Sequence, residues 1–200
     1  MTHLRFGLMS LLLLGGLWRF AHGGFSICLP VLAVPALVLV LDALGAEERT
    51  VPSALLPWAL NGWLFLTLPL ILLQHAVLWW LAGTEDPAGL GAWVFRLLGQ
   101  DLAAARAATR PWHWPGALAG CALLTAAAAT TVGHDLVHRT LKPLHMVWGR
   151  WLLAFTFDTG FAIEHVHGHH ARVSTLEDPA SARRGENVYG FLLRSTWGQL

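Results

Sequence analysis

The chain has 200 residues, of which 55% are hydrophobic and only 12% are charged. This charged fraction is about half of that in a soluble globular domain, so part of the protein surface must face lipid rather than water. The formal net charge is +1, which gives no basis for nucleic acid as a partner. The only two cysteines, Cys28 and Cys121, lie singly inside apolar runs, which argues against a disulfide framework or a thiolate metal site.

Five apolar runs follow one another along the chain, at residues 6–20, 25–41, 58–81, 114–132 and 146–163. A spanning helix needs about 20 mostly apolar residues; the third and fourth runs meet this length, and the first two are slightly short. We therefore predict an all-α integral membrane protein, a helical bundle with about four spanning helices and a bent or partly inserted fifth segment. Seven of the 13 Lys and Arg residues lie at or after Arg139, which places this region on the cytoplasmic side by the positive-inside rule.

Histidine is concentrated in one part of the chain, because seven of the 11 histidines lie within residues 134–170. His134 and His138 belong to the sequence GHDLVHR, at the end of the fourth apolar run. At a spacing of i, i+4 they lie on one face of a helix and can bind one metal ion together. This spacing alone is weak evidence, since capping or interfacial histidines explain it equally well. Asp135 could accept a ring N–H from a neighbouring ligand.

A second cluster, EHVHGHH, has four histidines within six residues. His165 and His169 are again spaced i, i+4, and His170 follows directly. Neutral imidazole is a good ligand for iron, copper, zinc and nickel. Together the two clusters offer more ligands than the three that a catalytic zinc ion normally takes from protein. We therefore predict a metal site, the alternative being a surface histidine tract that binds metal adventitiously.

The region from about residue 120 to 193 resembles the integral-membrane alkane hydroxylase family, within the fatty acid desaturase and hydroxylase superfamily. That family carries H-E-x-G-H, then E-H-N-x-G-H-H, then a stretch close to T-x-x-D-P-A-S-A-R-x-G-E. Here the corresponding segments are HDLVH, EHVHGHH and, from Thr175, TLEDPASARRGENVYGFLLR. The last match is long, and it separates alkane hydroxylases from ordinary desaturases.

The resemblance implies a non-haem di-iron oxygenase of the inner (plasma) membrane. Such an enzyme hydroxylates the terminal methyl group of alkanes or similar apolar chains with dioxygen, using electrons from rubredoxin or ferredoxin. The resemblance assigns no catalytic residue beyond the metal site. His167 falls on a position that is not a ligand in the family. Asp135, Val137 and Val166 replace the family's Glu, Gly and Asn. By position, the family's iron ligands fall on His134, His138, His165, His169 and His170.

The family's third histidine box, close to L-Q-R-H-S-D-H-H, and a later H-Y-G have no counterpart in this sequence, which contains no histidine after His170. We therefore expect residues 1–200 to form a single membrane-embedded desaturase-like domain that is C-terminally incomplete and inactive alone. The alternative is that these residues are an inactive fragment of an oxygenase.

Two other functions compete with this interpretation. An intramembrane zinc metalloprotease could use HDLVH as a variant of H-E-x-x-H, with Asp135 as the base, but it leaves the second cluster without a role. A membrane metal-binding or transport protein would carry ionisable groups along a path through several spans, whereas here they cluster at one end of the chain.

The two histidine clusters can share a site only if the chain turns back between them. His138 and His165 are 27 residues apart, which as one helix is about 40 Å and would place them on opposite faces of a bilayer. Residues 142–163 must therefore bend back or enter the membrane only partly. The available breaking points are Pro143, Gly149 and residues 158–160.

Three carboxylates near the clusters have two interpretations each. Asp158 could orient a ligand histidine or mark a bend in its apolar run. Glu177 and Asp178 could support the metal site or bind a redox partner, or else pair with Arg172, Arg183 or Arg184.

Overall fold

The structure, a computed structural model, describes residues 7–45 and 57–199. In these ranges helices are the only regular secondary structure, which confirms the all-α prediction. The chain divides into two compact units, Met1–Val132 and Gly133–Leu200. The predicted single domain over residues 1–200 stays a prediction.

The described residues of the first unit form five α-helices and most of a sixth: α1 (Leu8–His22), α2 (Leu29–Leu44), α3 (Pro57–Ala82), α4 (Leu90–Leu98), α5 (Leu102–Ala108) and α6 (Trp114–Val137). α1 ends at Gly23, which has φ +66° and whose N–H donates to Phe20 O. A side chain at this position would collide with the backbone of Ala105, so only glycine fits the turn. α5 begins where Asp101 accepts a hydrogen bond from Ala104 N–H, a typical N-cap.

Among the described residues, three helical segments are long and apolar enough to cross a membrane, namely Gly24–Leu44, Trp58–Ala82 and Pro111–Val137. The chain is thus an all-α membrane protein. We predicted about four spans, and the count of four is not confirmed, because Leu8–His22 has only 15 residues. The predicted first run starts at residue 6, which lies outside the described residues.

Buried polar side chains tie α1 to α3 in the first unit. Ser10 Oγ donates to Trp63 O at 2.8 Å, and Gln74 Nε2 donates to Leu13 O at 2.7 Å. Ser10 and Gln74 are both buried. A polar group removed from water is costly unless it is hydrogen-bonded, so these bonds fix how the two helices pack.

The second unit follows the end of α6. It contains α7 (Pro143–Ala154), α8 (Phe161–Ile163), a π turn (Glu164–His169), α9 (His170–Arg172) and α10 (Val188–Gly198). α7 has 12 residues, which is about 18 Å and too short for a hydrocarbon core of about 30 Å. Residues 155–160 then reverse the chain, with Phe157 at φ +60°. The predicted bend is therefore confirmed, with Pro143 in the first turn of α7 and residues 158–160 in the reversal.

Gly149 does not break the helix, so its prediction as a breaking point was wrong. It lies inside α7 and is buried. A Cβ at Gly149 would lie 2.9 Å from Val137 Cγ1 and 3.0 Å from Gly133 O. Glycine is therefore needed here for close packing, because it lets α7 approach the backbone of the last turns of α6. Leu152 and Leu153, on the same side of α7, are fully buried.

Candidate metal centre

The first histidine cluster is placed by the end of α6. His134 lies in its last turn and His138 directly after it. Their rings are 4.7 Å apart between centroids, and the two Nε2 atoms are 3.1 Å apart. The i, i+4 spacing thus brings both rings to one place, as predicted.

The second cluster joins the first through His165. His165 Nε2 lies 2.7 Å from His134 Nε2 and 3.0 Å from His170 Nε2. The π turn explains the second distance, since its backbone bonds connect residues i and i+5, and His170 N–H donates to His165 O. Two segments that are far apart in the sequence therefore direct four Nε2 atoms to one place.

Hydrogen bonds alone do not account for this arrangement. An imidazole nitrogen carries either one N–H or one lone pair, yet the Nε2 atoms of His134 and His165 each have two other Nε2 atoms within 3.1 Å. Nitrogens bound to one ion at about 2.0–2.1 Å lie about 3 Å apart when their bonds are near right angles. The donor set therefore fits a metal ion that prefers imidazole. His134, His138 and His165 have ligand atoms that all lie within 4.8 Å of one another.

His169 is held differently from the other histidines. Its Nδ1 donates to Asp178 Oδ2 at 2.8 Å, and the Asp178 side chain is fully buried. Burial alone would raise the pKa of Asp178, but hydrogen bonds from Ser181, Ala180 and His169 hold it below its ordinary value. Metal-binding histidines commonly donate their second ring N–H to a carboxylate in this way. The bond fixes the ring and leaves Nε2 as the nitrogen available for a ligand role.

Two histidines of the cluster, His138 and His165, favour the uncharged imidazole. Burial, together with the charges of the neighbouring histidines, lowers the pKa of His165 to about 4. Burial also lowers the pKa of His138, as do His134 and His170. The neutral ring, which is the form that binds metal, therefore predominates near pH 7.

The residues around the histidine clusters are similar to known proteins. The family model for fatty acid desaturase matches residues 111–200, which include both clusters. Alkane 1-monooxygenase 1 of Pseudomonas aeruginosa is 41% identical over 88 residues, covering 42% of this chain and 23% of the relative. Alkane 1-monooxygenase of Acinetobacter baylyi is 39% identical over 85 residues, covering 42% of this chain and 19% of the relative. Residues 111–200 are therefore similar to the fatty acid desaturase family and, within it, to alkane 1-monooxygenases.

A more distant relative aligns with the whole chain. The xylene/toluene monooxygenase hydroxylase component of Pseudomonas putida is 26% identical over 200 residues, which are 100% of this chain and 48% of that protein. The chain thus spans less than half the length of these curated relatives. No solved structure gives a significant match.

An aromatic ring shields one side of the histidine cluster. Phe161 stacks on His165 with ring centroids 4.4 Å apart and planes at 12°, and it meets the edge of His134 at 5.7 Å. A cavity of about 200 Å³ adjoins these rings and is lined by Phe161, His165, His169 and Asp178, among others. His138 and His170, in contrast, are exposed.

Other residues singled out from the sequence have roles apart from the cluster. Asp135, which the sequence allowed as an acceptor for a ring N–H, forms an ion pair with Arg139 at 2.6 Å. His145 also contacts Arg139, at 3.2 Å. His167 is exposed within the π turn, on a position predicted not to be a ligand.

Asp158 lies exposed in the turn before Phe161, which agrees with its interpretation as a bend. Sequence reasoning missed the contact of Phe161 with the histidines. It left the role of Asp178 open, although the DPAS segment within the alkane hydroxylase-like stretch was the available signal.

Proposed function

We propose that this chain forms part of a non-haem di-iron oxygenase that hydroxylates the terminal methyl group of alkanes or similar apolar chains. The convergence of four imidazole nitrogens from two separate segments carries the proposal. The similarity to alkane 1-monooxygenases gives this donor set a reaction.

His134, His138, His165 and His170 would hold iron through Nε2. His169 would add a fifth imidazole through its own Nε2, since its Nδ1 is bound to Asp178. Bound iron would supply the redox chemistry by which dioxygen attacks an unactivated C–H bond, which no side chain in the cluster can perform.

The chain's own residues prepare the site for that chemistry. Asp178 keeps the Nδ1 proton on His169 and fixes the ring orientation. Phe161 covers the stacked face of His165 and excludes water from it. The depressed pKa of His165 keeps that ring available as a ligand without first losing a proton.

Two irons need more ligands than these residues provide. An iron held by two histidines and one carboxylate takes three protein ligands, so two irons need about six or more. The five imidazoles are fewer. The di-iron form therefore requires ligands from outside this set, and residues 1–200 alone would be an incomplete, inactive desaturase-like domain.

The substrate would reach the site from the membrane, and dioxygen and electrons from the aqueous side. The alkane 1-monooxygenases support an alkane, and the xylene/toluene relative supports a methyl group on an aromatic ring. A rubredoxin- or ferredoxin-type protein would deliver the electrons. The excess of basic residues from Arg139 onward supports an inner-membrane protein with its histidine boxes on the cytoplasmic side.

A mononuclear zinc site is the second candidate, because His134, His138 and His165 form a compact triad. A catalytic zinc ion keeps one position open beside three protein ligands, but here His170 approaches as a fourth. Asp135, the base that a protease of this kind would need, is bound to Arg139. These contacts favour the oxygenase.

A chimaeric enzyme tests the proposal. Residues 111–200 of this chain would replace the matching segment of the Pseudomonas aeruginosa relative, so that the relative supplies the remaining ligands. With reductase and rubredoxin, we expect octane to yield 1-octanol and the purified protein to hold two irons. p-Xylene tested in parallel would identify the aromatic alternative. A chimaera that binds two irons but yields no more product from either substrate than its His134→Ala variant would disprove the proposed reaction.

A further inference from the structure

Asp178 can hold His169 only if the chain around Asp178 keeps its shape. Its carboxylate accepts hydrogen bonds from Ala180 N–H at 3.0 Å and from Ser181 Oγ at 2.5 Å, in addition to His169. A buried carboxylate is costly unless its oxygens are bound. The turn at residues 178–181 therefore has to stay closed for Asp178 to remain in place.

Arg194 of α10 closes this turn. Its Nη1 donates to Pro179 O at 3.1 Å, and its Nη2 donates to Ser181 O at 3.0 Å. The two carbonyl groups belong to the turn that binds the Asp178 carboxylate, one to the residue before Ala180 and one to Ser181 itself. α10 also packs directly on the turn, since a Cβ at Gly198 would lie 2.6 Å from Pro179 Cβ.

Glu186 fixes the guanidinium group in turn. Its two carboxylate oxygens accept from Arg194 Nε and Nη2, both at 2.7 Å. This paired geometry is the strong form of an Arg–carboxylate contact. Hydrogen bonds from Arg194 and from Arg183 N–H lower the pKa of Glu186 to about 2, so the pair stays charged at any physiological pH.

We infer that Arg194, oriented by Glu186, is a positioning residue for the metal centre: it closes the turn that carries Asp178, and Asp178 holds His169. The inference rests on the proposed metal centre. The effect reaches the metal only through the ring of His169, so that Arg194 acts on metal binding without touching the ion.

The test is a double-mutant cycle on Co²⁺ affinity, measured with the 200-residue chain in detergent by competition with a chelator. Removing a hydrogen-bond partner of a metal ligand typically costs about 10–100-fold in metal affinity, so we expect Asp178→Asn to fall in this range. Arg194→Gln should match it, and the double variant should lose no more than either single variant. Arg194→Lys should be impaired as well, because Lys keeps the charge but cannot donate to all four acceptors.

Arg184→Gln is the matched control, since it removes a charge from an exposed residue of the same segment and should leave affinity unchanged. The inference is wrong if Arg194→Gln binds Co²⁺ within twofold of the parent, or if the losses in the double variant simply add. If Arg194→Gln does not fold, Glu186→Gln is used in its place. It should lose less Co²⁺ affinity, and its loss should not add to that of Asp178→Asn in the double variant. A parent chain with no Co²⁺ affinity would instead overturn the metal centre itself.

Discussion

Replacing Gly149 with alanine tests whether close packing of α7 on α6 holds the two histidine clusters together. The new Cβ would meet Val137 Cγ1 at 2.9 Å, and Gly133 O and Leu136 Cβ at 3.0 Å each. A methyl group of Val137 can rotate away. Gly133 O and Leu136 Cβ are fixed to the backbone of α6 and cannot move away alone. Because both distances are a few tenths of an ångström shorter than an ordinary van der Waals contact, the two helices must separate by about that amount.

The effect on stability is small because two contributions oppose each other. Alanine gains about 1 kcal/mol over glycine in helix propensity, while overpacking costs about 1–3 kcal/mol. Net destabilisation is therefore about 0–2 kcal/mol. Metal binding should suffer more, because the chain passes through α7 before it returns to His165, whose Nε2 lies 2.7 Å from that of His134. We expect at least a tenfold loss of Co²⁺ affinity.

Gly160→Ala is the matched control in the same unit. A Cβ at Gly160 would have no atom within 4 Å, and its φ of −78° suits any residue. Alanine there should leave affinity unchanged and raise stability by about 0.4–1 kcal/mol. Thermal unfolding and chelator competition, measured on both variants, separate the two quantities. If Gly149→Ala binds Co²⁺ as tightly as Gly160→Ala, the α6–α7 contact does not position the histidines.

Three further predictions concern the histidines. In the chimaera, changing His134, His165, His169 or His170 to alanine should abolish hydroxylation but not membrane insertion. His167→Ala should have a much milder effect. If His167→Ala loses as much hydroxylation activity as the others, the ligand assignment is wrong by one position. The 200-residue chain should form no octanol from octane above its His169→Ala control, and elemental analysis should find well under two irons per chain. In the metal-free chain, ¹⁵N NMR should find that His165 takes up its proton near pH 4. Between pH 6.5 and 4 the unfolded chain then binds a proton that the folded chain does not, so stability falls as the pH falls through this range; a midpoint above 6 would contradict this.

The sequence predicted the features that depend on composition and on short spacing. Apolar runs gave the long helices, and the i, i+4 spacing of His134 and His138 gave their shared face. The bend after α7 followed from a length argument, since 27 residues of continuous helix could not return to the same side. These inferences need no knowledge of tertiary contacts.

The remaining features depend on contacts that no local pattern encodes. Gly149 could equally have been a helix breaker or a packing position, and only its approach to Gly133 decides between them. The link between His169 and Asp178 needs the turn that Arg194 closes from α10. A pattern of four histidines in six residues likewise does not reveal that the backbone is a π turn.

The π turn at Glu164–His169 makes residue number as important as residue type in this segment. In an α-helix the residue one turn above His165 would be His169; here the π turn accommodates one more residue, and His170 reaches His165 instead. Deleting one of the residues between them, such as Gly168, would allow an ordinary α-helical turn in which the same two histidines are four positions apart. We therefore expect insertions or deletions in this segment to be tolerated only when the two histidines again lie one whole helical turn apart. A change of one residue in the length of this segment can therefore change which histidine lies against His165, even when every histidine is kept.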